Sequence, residues 1–337
     1  MTERKNSAMD ATSKTTDRNP RAHRRHMLSA GLAATLLGAC APKAAAIKIR
    51  IGYQKSGVLL LARARGGLEA ALAGLGPVIV EWNEFVAGPP MLEAMRAGAI
   101  DIGAVGDTPP IFAQSAGDPI VYAAAVPNAD AAEAVIVPAA SPIRNLHDLK
   151  GLKVGLTKGS SSHLLLLEAL KSVGMTIADI KPIYLAPPDA ASAFSSGAID
   201  AWTIWDPYLA LAQHRAPTRT LINRGQLPPS NSFILAYGPF AQGSPKALSA
   251  VLDFLAGESA WGDAHVEDAA QILCARTGIP LDISEQTLRR APLELRPLDA
   301  LAVTRQQAAA DAFYAQGFIP APIRVQSAVW TGWRPAG

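Results

Sequence analysis

Cysteine is nearly missing from this chain, with two in 337 residues. That excludes a disulfide-stapled scaffold and a four-cysteine zinc site. No apolar run after residue 46 approaches the ~18 residues a membrane-spanning helix needs, so the body is expected to be soluble. The Gly-x-x-x-x-Gly-Lys-Ser/Thr phosphate loop is lacking, as is a Gly-x-Gly-x-x-Gly following a strand. Gly159-Ser160-Ser161-Ser162-His163 is not the Gly-x-Ser-x-Gly elbow, and His163 beside serines along a helix does not make a triad, which is a matter of geometry. The four body histidines, His147, His163, His214 and His265, are scattered without metal-ligand spacing. No catalytic residue, metal or cofactor is therefore expected, and Cys274 reads as a buried core thiol.

An excess of one charge is lacking too, once the charge is located. The chain has 31 Lys+Arg against 28 Asp+Glu, a formal +3, which invites a nucleic-acid reading. Seven of the basic residues (Arg4, Lys5, Lys14, Arg18, Arg21, Arg24, Arg25) and three acids (Glu3, Asp10, Asp17) lie in the first 39 positions. The remainder keeps 24 basic and 25 acidic residues, a net of −1. A basic groove for nucleic acid has no support in that body. Apolar residues at 49% allow substantial cores, and the length suggests two domains.

The first 39 residues read as an export signal. Residues 27–37 form an uncharged, mostly apolar run of eleven directly after Arg24-Arg25, too short to span a bilayer and typical of a secretory leader. Leu37-Gly38-Ala39-Cys40 resembles the lipobox of bacterial lipoproteins, which makes Cys40 the expected lipidation site; an ordinary cleavage site near Ala44-Ala45-Ala46 is the alternative. Arg24-Arg25 fits either a loose twin-arginine motif or a general basic leader. Residues 40–46 are then a tether.

The body repeats itself. A strand at 48–52, the loop 53–57 and a helix near 58–73 are followed about a hundred residues later by a strand at 152–155, the loop 156–160 and a helix near 161–173. Gly52 and Lys55 recur as Gly155 and Lys158. Gly98-Ala99-Ile100-Asp101 recurs as Gly197-Ala198-Ile199-Asp200, and Asp107 and Asp206 follow six residues later, each trailed by a proline. Strands alternating with helices predict parallel sheets covered by helices. Ligands of such sheets sit beyond the carboxyl ends of the strands, so the loops 53–57, 106–109, 158–163 and 205–207 are expected to share one cleft.

These loops open helices. Thr108-Pro109-Pro110 and Gly88-Pro89-Pro90 combine a cap or turn residue with proline in the first turn; Ser160, Ser161 and Ser162 precede a leucine-rich helix. Helix N-termini present unpaired N–H groups and partial positive charge, and several aimed at one point make an oxyanion site. Serine hydroxyls add neutral donors, and Trp205 an apolar wall, while Trp202 alternates into the core. Asp101 and Asp200 read as turn or cap residues. Asp107 and Asp206 position loops or meet an ammonium on a zwitterionic ligand. Lys55 and Lys158 either attract the anion or stay solvated.

The segments Ile51-Gly52-Tyr53-Gln54-Lys55, Glu84-Phe85-Val86-Ala87-Gly88-Pro89-Pro90, Gly106-Asp107-Thr108-Pro109-Pro110, Lys158-Gly159-Ser160-Ser161-Ser162-His163 and Ala201-Trp202-Thr203-Ile204-Trp205-Asp206-Pro207-Tyr208 resemble the aliphatic sulfonate-binding proteins of bacterial ABC importers, within the wider sulfonate, taurine, nitrate and pyrimidine-precursor group. The resemblance covers about residues 47–325. It implies an α/β, two-lobed periplasmic binding protein of type II, each lobe a mostly parallel sheet flanked by helices, with the ligand cleft between lobes. Lobe one is expected at 47–131 plus 232–337 and lobe two at 132–231, with crossings near 125–131 and 233–237. The helical region 245–325 is expected to pack on lobe one. By the same resemblance Gln54, Gly88, Pro89, Asp107, Thr108, Ser160, Ser161, Ser162, Trp205 and Asp206 line the cleft. The first loop looks shortened at 56–59, which bears on the size of the organic pocket.

The function so implied is capture of an alkanesulfonate for sulfur acquisition by a monomer. Its partners would be an inner-membrane ABC permease and its ATPase, with a lipid anchor in the periplasm if Cys40 is modified. Taurine, nitrate, bicarbonate or a pyrimidine precursor are rival ligands. A ligand sensor and a pyrimidine-precursor synthase-like enzyme are rival classes, the latter requiring a cysteine-rich site.

Overall fold

The computed structural model describes residues 46–335; the expected leader 1–39, Cys40 and all of the tether but Ala46 lie outside them. The chain begins with β1 (Ile47–Tyr53), α1 (Val58–Arg65), α2 (Leu68–Ala71), β2 (Val78–Glu84), α3 (Gly88–Arg96), β3 (Ile102–Val105), α4 (Thr108–Ser115) and β4 (Ile120–Pro127). It continues with β5 (Glu133–Pro138), β6 (Lys153–Leu156), α5 (Ser161–Ser172), β7 (Lys181–Tyr184), α6 (Pro187–Ser195), β8 (Ala201–Trp205), α7 (Tyr208–Arg215) and β9 (Thr218–Asn223). Strand β10 (Asn231–Tyr237) leads into α8 (Gly238–Gly243), α9 (Pro245–Ala264), α10 (Val266–Thr277), α11 (Leu281–Arg290) and α12 (Ala300–Ala315). No helix among the described residues is long and apolar enough to cross a membrane.

Two five-stranded sheets result, in the orders β2-β1-β3-β10-β4 and β7-β6-β8-β5-β9. In each, one strand alone runs against the rest: β10 is antiparallel to β3 and β4, and β5 to β8 and β9. Those are the strands entered directly after the chain changes sheets. The second change occurs at residues 224–230. The stretch 233–237, where the sequence suggested a crossing, lies inside β10, hydrogen-bonded to both neighbours. The two crossings run side by side: Asn128 N–H donates to the Ser230 carbonyl at 3.1 Å, and Gly225 N–H to the Asp130 carbonyl at 2.9 Å.

The repeated Gly-Ala-Ile-Asp block is a clasp. Gly98 and Gly197 take φ of 69° and 73° to end α3 and α6, a conformation cheap only for glycine. Ile100 and Ile199 are buried. The Asp101 and Asp200 N–H groups donate to the carbonyls of Arg50 and Lys153. Their carboxylates in turn accept the N–H of the same two residues, both at 2.8 Å. Each aspartate thus pins a helix end to the first parallel strand of its sheet.

Two expectations are corrected here. The helix near 58–73 is broken by Gly66 and Gly67, at φ of 75° and 94°. Cys274 is half-buried on α10; its neighbour Leu273 takes the buried position on that turn. The C-terminal helices also do more than cover the first sheet. Leucines of α9 and α10 pack with those of α1, but Ile279 and Ile283, before and within α11, pack with Ala210 of α7, on the second sheet's side.

Candidate functional site

A cavity of about 200 Å³ lies between the two sheets. Four helix N-terminal regions border it: Gly88 of α3, Gly106 and Pro109 around the start of α4, Ser160 and Ser161 of α5, and Trp205 and Pro207 before α7. Prolines in the first turns of α3 and α4 remove N–H groups there, leaving the Gly88 amide on α3, while the Thr108 amide of α4 serves the Asp107 carboxylate. The α5 start carries no proline; the Gly159, Ser160 and His163 N–H groups there are spent on the His163 ring and on the Thr157 and Ser160 carbonyls, which leaves the Ser161 and Ser162 amides. Lys55 is the sole cation among the lining residues, and its ammonium lies 3.8 Å from Glu84. Attraction for an anion therefore comes chiefly from backbone dipoles and hydroxyls.

Six of the expected residues meet on the cavity wall: Gln54, Gly88, Ser160, Ser161, Trp205 and Asp206. Four do not. Asp107 and Thr108 are fully buried beneath the wall, where the Thr108 hydroxyl donates to the Asp107 carboxylate at 2.8 Å. Gln306 of α12 donates to the Asp107 carbonyl at 2.6 Å. Ser162 is buried, its hydroxyl 2.9 Å from that of Ser160. Pro89 packs at the seam between halves, near Gly159. For Asp107, Thr108 and Ser162 the reason is the same: a helix start shows one or two residues to a site and folds the rest under its own turn, whereas Pro89 is turned toward the other half. Of the tryptophans on β8, Trp202 is buried at 1% exposure against Phe194 and Trp205 faces the cavity, as strand alternation requires.

Sequence reasoning missed the charges beneath the cavity. Arg224, from the second crossing, is 1% exposed. It pairs with Glu168 of α5 and lies 3.6 Å from Glu133, the first residue of β5, beyond hydrogen-bonding range. Glu133 is on the cavity wall. Burial pushes its carboxyl up to about 7, against the opposing pull of Arg224. Burial likewise raises Asp107 and Glu168. Two carboxyls thus flank one guanidinium, whose charge also acts on Asp107, and nothing local in the sequence marks them, since they come from α5, β5, the α4 turn and a crossing. Asp206 is paired as well: Arg290 of α11 approaches its carboxylate at 3.3 Å and donates to Gln213 at 2.7 Å. Burial nevertheless lifts Asp206 to about 6.

The halves touch around the cavity. A Cβ added at Gly106 would stand 2.8 Å from the Ser161 Cβ, so this glycine permits the close approach. His163 packs edge-on against Phe313 and Phe318, with centroids 5.4 and 4.6 Å apart. Burial, with Lys158 adding to it, lowers its imidazole to about 4, and its Nδ1 accepts the Gly159 N–H at 3.3 Å. This histidine is a packing residue of the seam.

Residues 83–224 match the family model described as NMT1/THI5 like. Over 303 residues the chain is 38% identical to an aliphatic sulfonates-binding protein of Escherichia coli (strain K12), covering 89% of this chain and 94% of that one. Among solved structures it is similar to the periplasmic aliphatic sulphonate binding protein SsuA from Escherichia coli (TM-score 0.78, 37% identity, 87% of this chain and 95% of that chain). It is also similar to the alkanesulfonate-binding protein SsuA from Xanthomonas axonopodis pv. citri bound to MOPS (TM-score 0.81, 37% identity, 85% of this chain and 99% of that chain).

Proposed function

Because the chain belongs to the aliphatic sulfonate-binding protein family, we propose that it is the substrate-binding component of an ABC importer and captures alkanesulfonates in the cavity between its sheets. The observation that carries this reading is the convergence of four helix N-terminal regions on one cavity with serine hydroxyls and little fixed positive charge. A sulfonate presents three oxygens and one negative charge; N–H groups at helix starts, with the Ser161 hydroxyl and the Gln54 amide, suit that geometry. The lobes in this reading are 47–131 plus 232–337 and 132–231, and the paired crossings between them form the hinge. A ligand held from both sides binds the closed form better than the open one, and that difference in affinity draws the lobes together.

The closed form then docks on a permease served by a separate ATPase. Residues 1–39 direct export to the periplasm and Cys40 carries the lipid that keeps the protein near its permease. The chain binds its ligand without turnover, in line with the description of its relatives as binding proteins. Titration of the mature protein with methanesulfonate, longer alkanesulfonates, taurine, sulfate, nitrate and a pyrimidine tests the reading, with melting temperature and tryptophan fluorescence as readouts. Stabilisation by bound ligand follows mass action. A rise in melting temperature with sulfonates is expected. A rise with another class and none with any sulfonate at millimolar concentration refutes the reading.

A further inference from the structure

An acid on the wall of a cavity suited to an anion calls for an explanation. Glu133 is the first residue of β5, directly past the first crossing, and stands opposite Trp205 in the antiparallel register of β5 and β8. The backbone beside it is fixed, because the Asp206 N–H donates to the Ala132 carbonyl at 2.9 Å. The residue is 7% exposed, and its Oε2 has no hydrogen-bond partner among the described residues. Charges from four other elements surround it. Arg224 of the second crossing lies 3.6 Å away, and Glu168 of α5 takes the other side of that guanidinium. Asp107, before α4, adds negative charge. Asp206, before α7, is held by Arg290. The Ser161 hydroxyl of the α5 start acts on the Glu133 carboxyl as a neutral donor, and Ser161 itself abuts Gly106. Glu133 thus borders the place where the α4 and α5 starts come together.

An ionised carboxylate at that place repels an anion held by the two helix starts. Lys55, the cation on the wall, is exposed and already faces Glu84, so it does not cancel the repulsion. A protonated carboxyl does the opposite: it is neutral, and its O–H is a donor to a charged oxygen. We propose that Glu133 couples ligand capture to proton uptake, its carboxyl taking one proton from solvent as the anion enters and donating the O–H to a ligand oxygen. The proposal rests on the sulfonate reading above. A singly charged ligand and a proton then arrive together, and the net charge buried around Arg224 is unchanged. Burial already holds the free carboxyl near 7. The negative charge of the ligand raises it further, so the complex keeps a proton at a pH where the free protein has released it.

The test is calorimetric titration of methanesulfonate into the mature full-length protein, in amine buffers of differing ionisation enthalpy that carry no sulfonate group, which counts the protons exchanged on binding. The wild type is expected to take up more than about half a proton per ligand at pH 7.5 and little at pH 5.5, with affinity falling towards about tenfold per pH unit above 7. In Glu133→Gln the uptake at pH 7.5 and the fall in affinity should both disappear. Asp206→Asn removes the other raised carboxyl on the wall and should keep the uptake, which assigns the proton to Glu133. Ligand-free melting temperatures show whether each variant is folded, and the wild-type proton count tests the coupling without them. A wild type that binds methanesulfonate at pH 7.5 with no proton exchange overturns the coupling and leaves the sulfonate reading standing. So does uptake that survives in folded Glu133→Gln. A wild type that binds no sulfonate overturns the reading beneath, and the coupling with it.

Discussion

Replacing Glu133 by glutamine should stabilise the ligand-free protein above neutral pH and leave it nearly unchanged at pH 5. Glu133 sits on the cavity wall, almost fully buried, with Arg224 at 3.6 Å and no hydrogen bond between them. Its carboxyl is raised by burial from an ordinary 4.5 to about 7. The folded state therefore holds a proton that the unfolded state has released between about pH 4.5 and 7, and stability falls as pH rises through that window. The whole shift corresponds to about 3 kcal/mol lost by pH 8. Glutamine keeps the shape and neutrality of the protonated acid, so the variant escapes the loss. For a chain of this size that amounts to roughly 5 °C in melting temperature. The assay is calorimetric melting of both proteins from pH 5 to 8.5. The wild-type curve should fall with pH and the variant's should be flatter, the two meeting near pH 5. A variant that melts lower than wild type at pH 8, or curves that stay parallel, would refute the argument and make the Arg224 pair a net source of stability.

The same charge should act on the ligand: methanesulfonate affinity of the wild type is expected to weaken as pH rises through 7 and to stay level in Glu133→Gln, as measured by titration at constant salt. Ser161→Ala removes a hydroxyl at the α5 start and should weaken sulfonate binding 10- to 100-fold, the value of a hydrogen bond to a charged group, with a melting temperature close to wild type. Gly106→Ala places a methyl 2.8 Å from the Ser161 Cβ and should lower sulfonate affinity at least tenfold by holding the halves apart, with small-angle scattering reporting a more open form. Arg290→Met leaves the Asp206 carboxylate buried without its partner; a loss of about 2 kcal/mol is expected at pH 8. The loss should shrink below pH 6 as Asp206 takes up a proton, and melting at the two pH values checks it.

Much of the architecture is legible in the chain itself because it depends on local, periodic signals. The offset between Gly98-Ala99-Ile100-Asp101 and Gly197-Ala198-Ile199-Asp200 marks the repeated half, and its chemistry is local: a left-handed glycine, a buried isoleucine and an aspartate that clasps the next strand. The helix starts at Gly88, Thr108 and Ser161 follow from proline and serine placement. What failed was the fine assignment of facing. Asp107, Thr108 and Ser162 stand beside true wall residues in sequence, and only the turn of each helix decides which side chain faces the cavity and which is folded under.

The sequence alone determined the repeated α/β halves, the helix N-termini that suit an oxyanion, and a body near electrical neutrality. Each of these is written in residues a few positions apart, or in composition. The tertiary structure alone decided that Arg224 meets Glu133 and Glu168 beneath the cavity, that Arg290 reaches Asp206, and that residues of α10 and α11 join the cavity lining. Residues brought together from opposite ends of the chain leave no periodic trace. Their proximity is set by how two sheets exchange strands and by how the last helices fold back over both, and burial then gives their charges an energy that no spacing in the sequence encodes.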